Sequence, residues 1–89
     1  MKRYFTNRAD KEYHEWKKSD KNVFIKINDL IDDIENNGLL FGKGKPEQLK
    51  YFNEPIYSRR ITKSDRLVYK LYHEEDLLIL SCKGHYDDK

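Results

Sequence analysis

The sequence predicts an α+β fold in which two helices pack on one face of a twisted sheet of antiparallel strands. Two observations lead to this prediction. Apolar residues recur every three or four positions between residues 7 and 37, which is the period of an amphipathic helix. Beyond residue 55 the apolar residues alternate with polar ones or run together between tight turns, which is typical of antiparallel strands. The second face of such a sheet is expected to stay open.

The length, net charge and cysteine content of the chain limit the class of protein. A chain of 89 residues has the length of one domain, and we expect residues 1–89 to form it. The net charge of +2 does not by itself indicate nucleic-acid binding, so such evidence must come from where the cations lie. Cys82 is the only cysteine, which excludes a disulfide framework. Because no run is long enough for a signal peptide or a membrane span, we expect a soluble, cytoplasmic protein.

The first half of the chain predicts a short strand and two helices. Arg3–Phe5 contains two aromatic residues and precedes a candidate helix cap, so we expect a strand there. The first helix, over residues 7–18, has three apolar residues on one face: Ala9, Tyr13 and Trp16. Asp20 is a candidate N-cap for the second helix, which should end at Asn37-Gly38. Its apolar stripe consists of Val23, Ile27, Leu30, Ile31 and Ile34.

The second half predicts three strands joined by tight turns. They cover residues 56–62, residues 66–72 and residues 77–82, and the last reads as a central strand covered on both faces. Along a strand, neighbouring side chains point to opposite faces. If the apolar positions face the helices, Arg60 and Arg66 share the open face, which therefore becomes basic.

Residues 42–50, Gly-Lys-Gly-Lys-Pro-Glu-Gln-Leu-Lys, are predicted to form an irregular loop, because two glycines and a proline disfavour helix and strand. Three lysines in so short a loop can hold an anion, and the single carboxylate, Glu47, can accept a proton. RNA fits both roles, since its 2′-hydroxyl can be deprotonated beside its own phosphate.

Cleavage of RNA by its own 2′-hydroxyl needs a base, cationic donors for the charge on the phosphate, and an acid for the departing 5′-oxygen. The chain offers Glu47 as base, Arg66 with Arg60 and Lys50 as cations, and His85 as acid. The candidate substrate-binding residues are Lys45, Lys50, Arg59, Arg60 and Tyr86, the last of which could stack on a nucleobase. No cofactor is implied, and the three histidines and one cysteine lack the spacing of metal ligands.

None of these residues identifies a function by itself, because lysine-rich loops are usually solvated surface. Their combination is a more specific indication of function. Four motifs occur in order: Phe41-Gly42-Lys43-Gly44-Lys45-Pro46-Glu47 with Leu49-Lys50, Tyr57-Ser58-Arg59-Arg60-Ile61-Thr62, Arg66-Leu67-Val68-Tyr69, and His85-Tyr86. On these motifs the chain resembles, over nearly its whole length, the YoeB/Txe branch of the RelE superfamily of bacterial toxins. The resemblance implies a RelE-like fold.

The resemblance also implies a function and partners. It implies a ribosome-dependent mRNA interferase, an endoribonuclease that cuts mRNA in the A site of the 70S ribosome without a metal. Glu47 would be the general base, Arg66 would stabilise the transition state, and His85 would be the general acid. A YefM/Phd-type antitoxin would neutralise the toxin, and members of this branch are often homodimers. The chain departs from the pattern at Gln48, where a proline is common, and in residues 87–89, which extend past His-Tyr.

Three alternatives stay open from the sequence. A protein on the same fold could bind RNA or the ribosome and block translation without cutting. A ribonuclease could act without ribosomes. A simple interaction module with a basic face would not depend on Glu47 or His85.

Overall fold

The computed structural model describes residues 1–86, so the extension over residues 87–89 lies outside the described residues. In chain order the elements are β1 Arg3–Phe5, α1 Asn7–Ser19, α2 Lys21–Asn37, β2 Glu47–Gln48, β3 Tyr57–Arg60, β4 Arg66–Tyr72 and β5 Asp76–Ser81. The predicted α+β class is confirmed, and α1 runs one residue further than predicted.

Side-chain caps fix where both helices begin. The Ala9 N–H donates to Thr6 Oγ1 at 3.1 Å at the start of α1. The Asp20 carboxylate accepts from the Val23 N–H at 3.2 Å at the start of α2, which confirms the predicted N-cap. Gly38 follows the end of α2 with a φ of 97°, a conformation that favours glycine. Neither helix within residues 1–86 is long and apolar enough to cross a lipid bilayer.

The sheet has the strand order β1-β5-β4-β3-β2. β1 runs parallel to β5, and the other neighbours are antiparallel. The sheet is therefore mixed, whereas the sequence predicted only its antiparallel part and did not place β1. A three-residue strand carries too short a pattern to indicate its partner.

The core lies between the helices and one face of the sheet. Its buried side chains come from both helices and from the strands and the residues that follow them: Ala9, Ile27, Leu30, Ile31, Ile34, Ile61, Leu67, Tyr69, Leu77, Ile79 and Cys82. In β5, buried residues alternate with half-buried ones such as Leu78 and Leu80. The prediction that this strand is covered on both faces is therefore wrong, because the helices cover only one face.

The loop over residues 42–50 is not irregular throughout, contrary to the prediction. Glu47–Gln48 forms β2, in which Glu47 lies opposite Ser58 of β3. The pairing continues at Leu49, whose N–H donates to the Ile56 carbonyl at 2.7 Å. Proline permits extended backbone at a sheet edge, so Pro46 is compatible with the strand that follows it.

Burial makes Cys82 an unreactive thiol. Its side chain is fully buried, and desolvation raises its pKa to about 12. Because the thiolate is the nucleophile, we expect iodoacetamide to label the native protein far more slowly at pH 8 than the protein in urea, as followed by intact mass. Equal labelling rates in the two conditions would contradict the buried position of Cys82.

Candidate functional site

A cavity of about 280 Å³ opens where β2, β3 and β4 meet the segment that follows β5. It is called the Glu47 cavity below, and its lining residues are Glu47, Leu49, Ser58, Arg66, Val68, His85 and Tyr86. The structure thus brings the three predicted catalytic residues and Tyr86 to one cavity, although they come from distant parts of the sequence.

The register of the sheet places the carboxylate and the guanidinium on one face. Glu47 lies opposite Ser58, and Ser58 lies opposite Val68. Directly opposed residues of antiparallel strands point to the same face, as do residues two apart along a strand. Arg66 lies two positions before Val68 and directly opposite Arg60, so the predicted common face of the two arginines is confirmed.

Arg66 keeps most of its guanidinium free. Its Nη1 donates to the carbonyls of Thr62 at 3.0 Å and Asp65 at 3.1 Å, which fixes the direction of the side chain. Within residues 1–86 no carboxylate pairs with Arg66, and its Nε and Nη2 make no hydrogen bond. The charge is therefore available to an anion in the Glu47 cavity.

Asp65 ties the segment before His85 to the turn between β3 and β4. The Gly84 N–H donates to Asp65 Oδ1 at 2.7 Å, and the Arg66 N–H donates to the Gly84 carbonyl at 3.0 Å. The other carboxylate oxygen accepts from the Thr62 hydroxyl at 2.6 Å. These bonds hold His85 next to Arg66, so Asp65 has a positioning role that no pattern in the sequence indicates.

Helix α1 holds the same segment from the other side. Trp16 Nε1–H donates to the Cys82 carbonyl at 2.7 Å, and the Cys82 N–H donates to Glu12 Oε1 at 2.8 Å. The Tyr86 ring lies 5.8 Å from the ring of Phe52, and the guanidinium carbon of Arg8 lies 5.3 Å from the Tyr86 ring centre. Tyr86 is therefore held between α1 and the β2–β3 loop.

The remaining lysine and arginine candidates lie elsewhere. Lys45 and Arg60 line a second cavity of about 460 Å³, called the Lys26 cavity below. Its lining residues are Lys26, Asp29, Leu30, Lys43, Gly44, Lys45 and Arg60. Lys50 is exposed and lines neither cavity. Among the predicted substrate-binding residues, only Tyr86 lines the Glu47 cavity.

Arg59 is buried, and the prediction that it binds substrate is wrong. Its exposed fraction is 0%, and all five of its N–H donors are used within the protein. The acceptors are Tyr69 Oη at 3.0 Å, Asp33 Oδ2 at 2.5 Å and the carbonyls of Lys43, Gly38 and Phe41 at 3.0, 2.8 and 2.7 Å. Its guanidinium anchors the loop that leads to Glu47.

Asp33 completes this anchor from α2. Its Oδ2 accepts from the Lys43 N–H at 2.8 Å as well as from Arg59, and Oδ1 accepts from Asn37 Nδ2 at 2.7 Å. These donors, the Lys43 N–H first, lower the pKa of Asp33 below 3.8. Gly42 packs against the carboxylate so closely that an added Cβ would lie 2.0 Å from Asp33 Oδ2. Only glycine fits there.

The lowered pKa of Asp33 predicts how stability depends on pH. A carboxyl whose folded pKa is lowered stabilises the fold above its unfolded pKa of about 4, and this contribution is lost as the pH falls through the folded pKa. We expect Asp33→Asn to lower the urea midpoint at pH 6 and to reduce the loss of stability between pH 5 and pH 2. Asp29→Asn, which removes a carboxylate of the same helix that has no such anchor, is the matched control. An unchanged pH profile for Asp33→Asn would contradict the anchor.

Within the part of the chain that the structure describes, no three His, Cys, Asp or Glu side chains come together as metal ligands. The polar groups that line the Glu47 cavity are a carboxylate, a guanidinium, an imidazole, a phenol and the hydroxyl of Ser58.

Known proteins resemble this chain along its length. Residues 5–86 match the family of YoeB-like toxins of bacterial type II toxin–antitoxin systems. Toxin YoeB of Escherichia coli K12 is 41% identical over 86 residues, covering 97% of this chain and 100% of the relative. Toxin YoeB of Streptomyces coelicolor is 40% identical with the same coverage.

Solved structures agree with the sequence matches. The YoeB dimer of Staphylococcus aureus superposes with a TM-score of 0.88 at 41% identity, covering 97% of this chain and 98% of the other. The heterotetrameric YoeB–YefM complex of the same organism gives a TM-score of 0.87 at 41% identity and the same coverage. The predicted resemblance and the RelE-like fold are thereby confirmed. The chain belongs to the family of YoeB-like toxins of bacterial type II toxin–antitoxin systems.

Proposed function

We propose that this protein is a ribosome-dependent mRNA interferase that cuts mRNA in the ribosomal A site. The observation that carries the proposal is the convergence of Glu47, Arg66 and His85 on one cavity in an otherwise open face of the sheet. A carboxylate, a guanidinium that pairs with no carboxylate of residues 1–86, and an imidazole are groups that can carry out metal-free cleavage of RNA.

In the proposed reaction Glu47 accepts the proton of the 2′-hydroxyl, and the 2′-oxygen attacks the neighbouring phosphorus. The guanidinium of Arg66 donates hydrogen bonds to the non-bridging oxygens, where negative charge builds up. The bond to the 5′-oxygen breaks, and His85 gives that oxygen a proton. The products are a 2′,3′-cyclic phosphate and a 5′-hydroxyl. The Tyr86 ring, held by its packing on Phe52, offers a surface on which a nucleobase can stack.

The protein would act in the cytoplasm and would have protein partners. Because the related S. aureus toxin is described both as a dimer and in a complex with YefM, we propose a YefM-type antitoxin and a homodimer for this chain. Ribosomes lie in the cytoplasm, so the toxin would act there.

The test is a translation reaction with one defined mRNA, in which 5′ ends are mapped by primer extension with and without ribosomes. We expect cuts at the A-site codon that require ribosomes. Glu47→Gln and His85→Asn should each slow cleavage by about 10²–10⁴-fold, because each removes one proton transfer. Glu75→Gln and His73→Asn make the same changes in the exposed turn between β4 and β5 and should cut normally.

The alternatives give different patterns in the same reaction. Translation that stops while the mRNA stays intact would show an inhibitor that blocks the ribosome without cutting. Cuts in RNA without ribosomes would show a free-standing ribonuclease. Unchanged cleavage by the Glu47→Gln and His85→Asn variants would remove both residues from the mechanism.

A further inference from the structure

We infer that the Lys26 cavity is a second phosphate-binding site, which holds the backbone of the same RNA strand beyond the nucleotides in the Glu47 cavity. This inference rests on the proposed function, because it extends the RNA site described above. It assigns a role to Lys26 and Lys43, which have no part in the proposed reaction.

The residues around the Lys26 cavity carry an excess of positive charge. Four of its lining residues are cationic, Lys26, Lys43, Lys45 and Arg60, and Asp29 is the one carboxylate among them. None of the four cations forms a salt bridge within residues 1–86. The cavity therefore has an excess of positive charge that the rest of the described chain does not neutralise. Phosphate groups of a nucleic acid supply the matching charge at low cost, since their bound counterions are released.

The backbone that carries Lys43 and Lys45 is fixed by close packing. At Gly44 an added Cβ would lie 3.0 Å from Leu30 Cδ2 and 3.2 Å from the Arg60 carbonyl, so the loop packs tightly on α2 and β3. The Arg60 N–H donates to the Gly44 carbonyl at 2.7 Å. Together with the buried Arg59, these contacts fix the backbone that carries the two loop lysines. A ligand therefore meets cations whose backbone is already ordered, which lowers the entropic cost of binding.

A pair of opposed arginines connects the two cavities. Arg60 lines the Lys26 cavity and Arg66 lines the Glu47 cavity, yet the two arginines lie directly opposite each other on β3 and β4. Directly opposed residues have Cα atoms only about 4.5–5.5 Å apart, and like charges in that position destabilise a sheet. A polyanion lying across both arginines removes this repulsion. The arginine pair is therefore the place where one RNA strand would pass from the Glu47 cavity to the Lys26 cavity.

The test compares single-stranded oligonucleotides of two lengths. The probes are a trimer, long enough only for the Glu47 cavity, and an octamer, both with 2′-fluoro sugars that cannot be cut. Binding is measured by fluorescence anisotropy at several salt concentrations. The variant is Lys26→Gln with Lys43→Gln. The matched control is Lys11→Gln with Lys18→Gln, which removes the same charge from exposed positions of α1.

We expect the Lys26/Lys43 variant to bind the octamer several-fold more weakly and the trimer as the wild type does. The slope of log K against log salt for the octamer should become less negative by about 0.7 for each phosphate that the variant no longer neutralises. The α1 control should keep the wild-type slope. In NMR titrations, the amide signals of Gly44 and Lys45 should shift with the octamer and not with the trimer.

The inference would be overturned if the Lys26/Lys43 variant bound the octamer with the same affinity and the same salt dependence as the α1 control. It would also be overturned by normal octamer binding combined with weaker binding of a YefM-type antitoxin, since the cavity would then be a docking site for a protein segment. The translation reaction keeps the two proposals apart. A wild-type protein that binds the octamer through the Lys26 cavity but never cuts mRNA would support the phosphate site and reject the interferase.

Discussion

An Arg66→Ala variant is expected to cut ribosome-bound mRNA about 10²–10³-fold more slowly than the wild type, which corresponds to about 3–4 kcal/mol of transition-state stabilisation. The physical reason is the position of Arg66 at the Glu47 cavity, with Nε and Nη2 left free among the described residues. A donor fixed before the reaction stabilises charge that develops on the phosphate without the cost of reorganising water. Single-turnover cleavage on programmed ribosomes measures this effect.

The controls separate chemistry from structure. Arg66 also bonds the carbonyls of the β3–β4 turn, so the melting temperature of the variant must be measured beside its activity. Lys63→Ala removes a cation from the same turn and should leave the cleavage rate unchanged. Guanidinium ion added at low concentration should restore part of the activity of Arg66→Ala, whereas urea should not. A variant that keeps the wild-type rate would show that Arg66 does not contact the reacting phosphate.

An Arg59→Leu variant is expected to lose about 3–5 kcal/mol of unfolding free energy, because it removes the cation that pairs with the buried Asp33 and the donor to three loop carbonyls. Such a loss approaches the whole stability of a domain of this size. Arg59→Lys should restore little of it, since an ammonium group cannot replace five donors in a planar arrangement. Urea denaturation followed by the fluorescence of Trp16 measures the change.

Two further variants test whether the loss of stability comes from the buried pairing of Arg59. Arg60→Leu, on the exposed face of the same strand, should change stability by no more than about 0.5 kcal/mol. Combining Arg59→Leu with Asp33→Leu should recover part of the loss, because no charged partner then stays buried. A wild-type urea midpoint for Arg59→Leu would mean that the loop does not depend on this anchor.

The sequence predicted those parts of the fold that have a periodic pattern or a local signal. The stripe of α2 and the Asp20 cap are of this kind, and the structure confirms them. The alternation predicted for β4 holds only in part, because Val68 is buried as fully as its neighbours Leu67 and Tyr69, and Leu71 is exposed. The grouping of Glu47, Arg66 and His85 followed from their chemistry and from the family resemblance. Their convergence on one cavity agrees with that grouping, while their roles stay predictions until variants are assayed.

Other parts depend on contacts that no local pattern shows. Arg59 was predicted to bind substrate beside Arg60, although it lies two residues before the apolar Ile61 and therefore on the same, helix-facing side of the strand. Asp33 lies at the edge of the α2 stripe, three residues after Leu30, where it resembles the solvated carboxylates around it. An inward arginine and a carboxylate at the edge of an apolar stripe together form a signal for a buried ion pair. The role of Asp65 has no such signal, because it depends on the path of the chain after β5.

The parallel pairing of β1 with β5 has a consequence for how the protein folds. The Thr6 hydroxyl donates to the carbonyl of Leu80, 74 residues away, so β1 has no partner until β5 is available. Closing so long a stretch of chain lowers its entropy before any stabilising contact has formed. Folds with many contacts between distant residues therefore form slowly. The helices can form early, but the Glu47 cavity includes His85 and Tyr86, which follow β5. The cavity therefore assembles only after the sheet has closed, and the speed of that closure sets how soon a newly made chain can act.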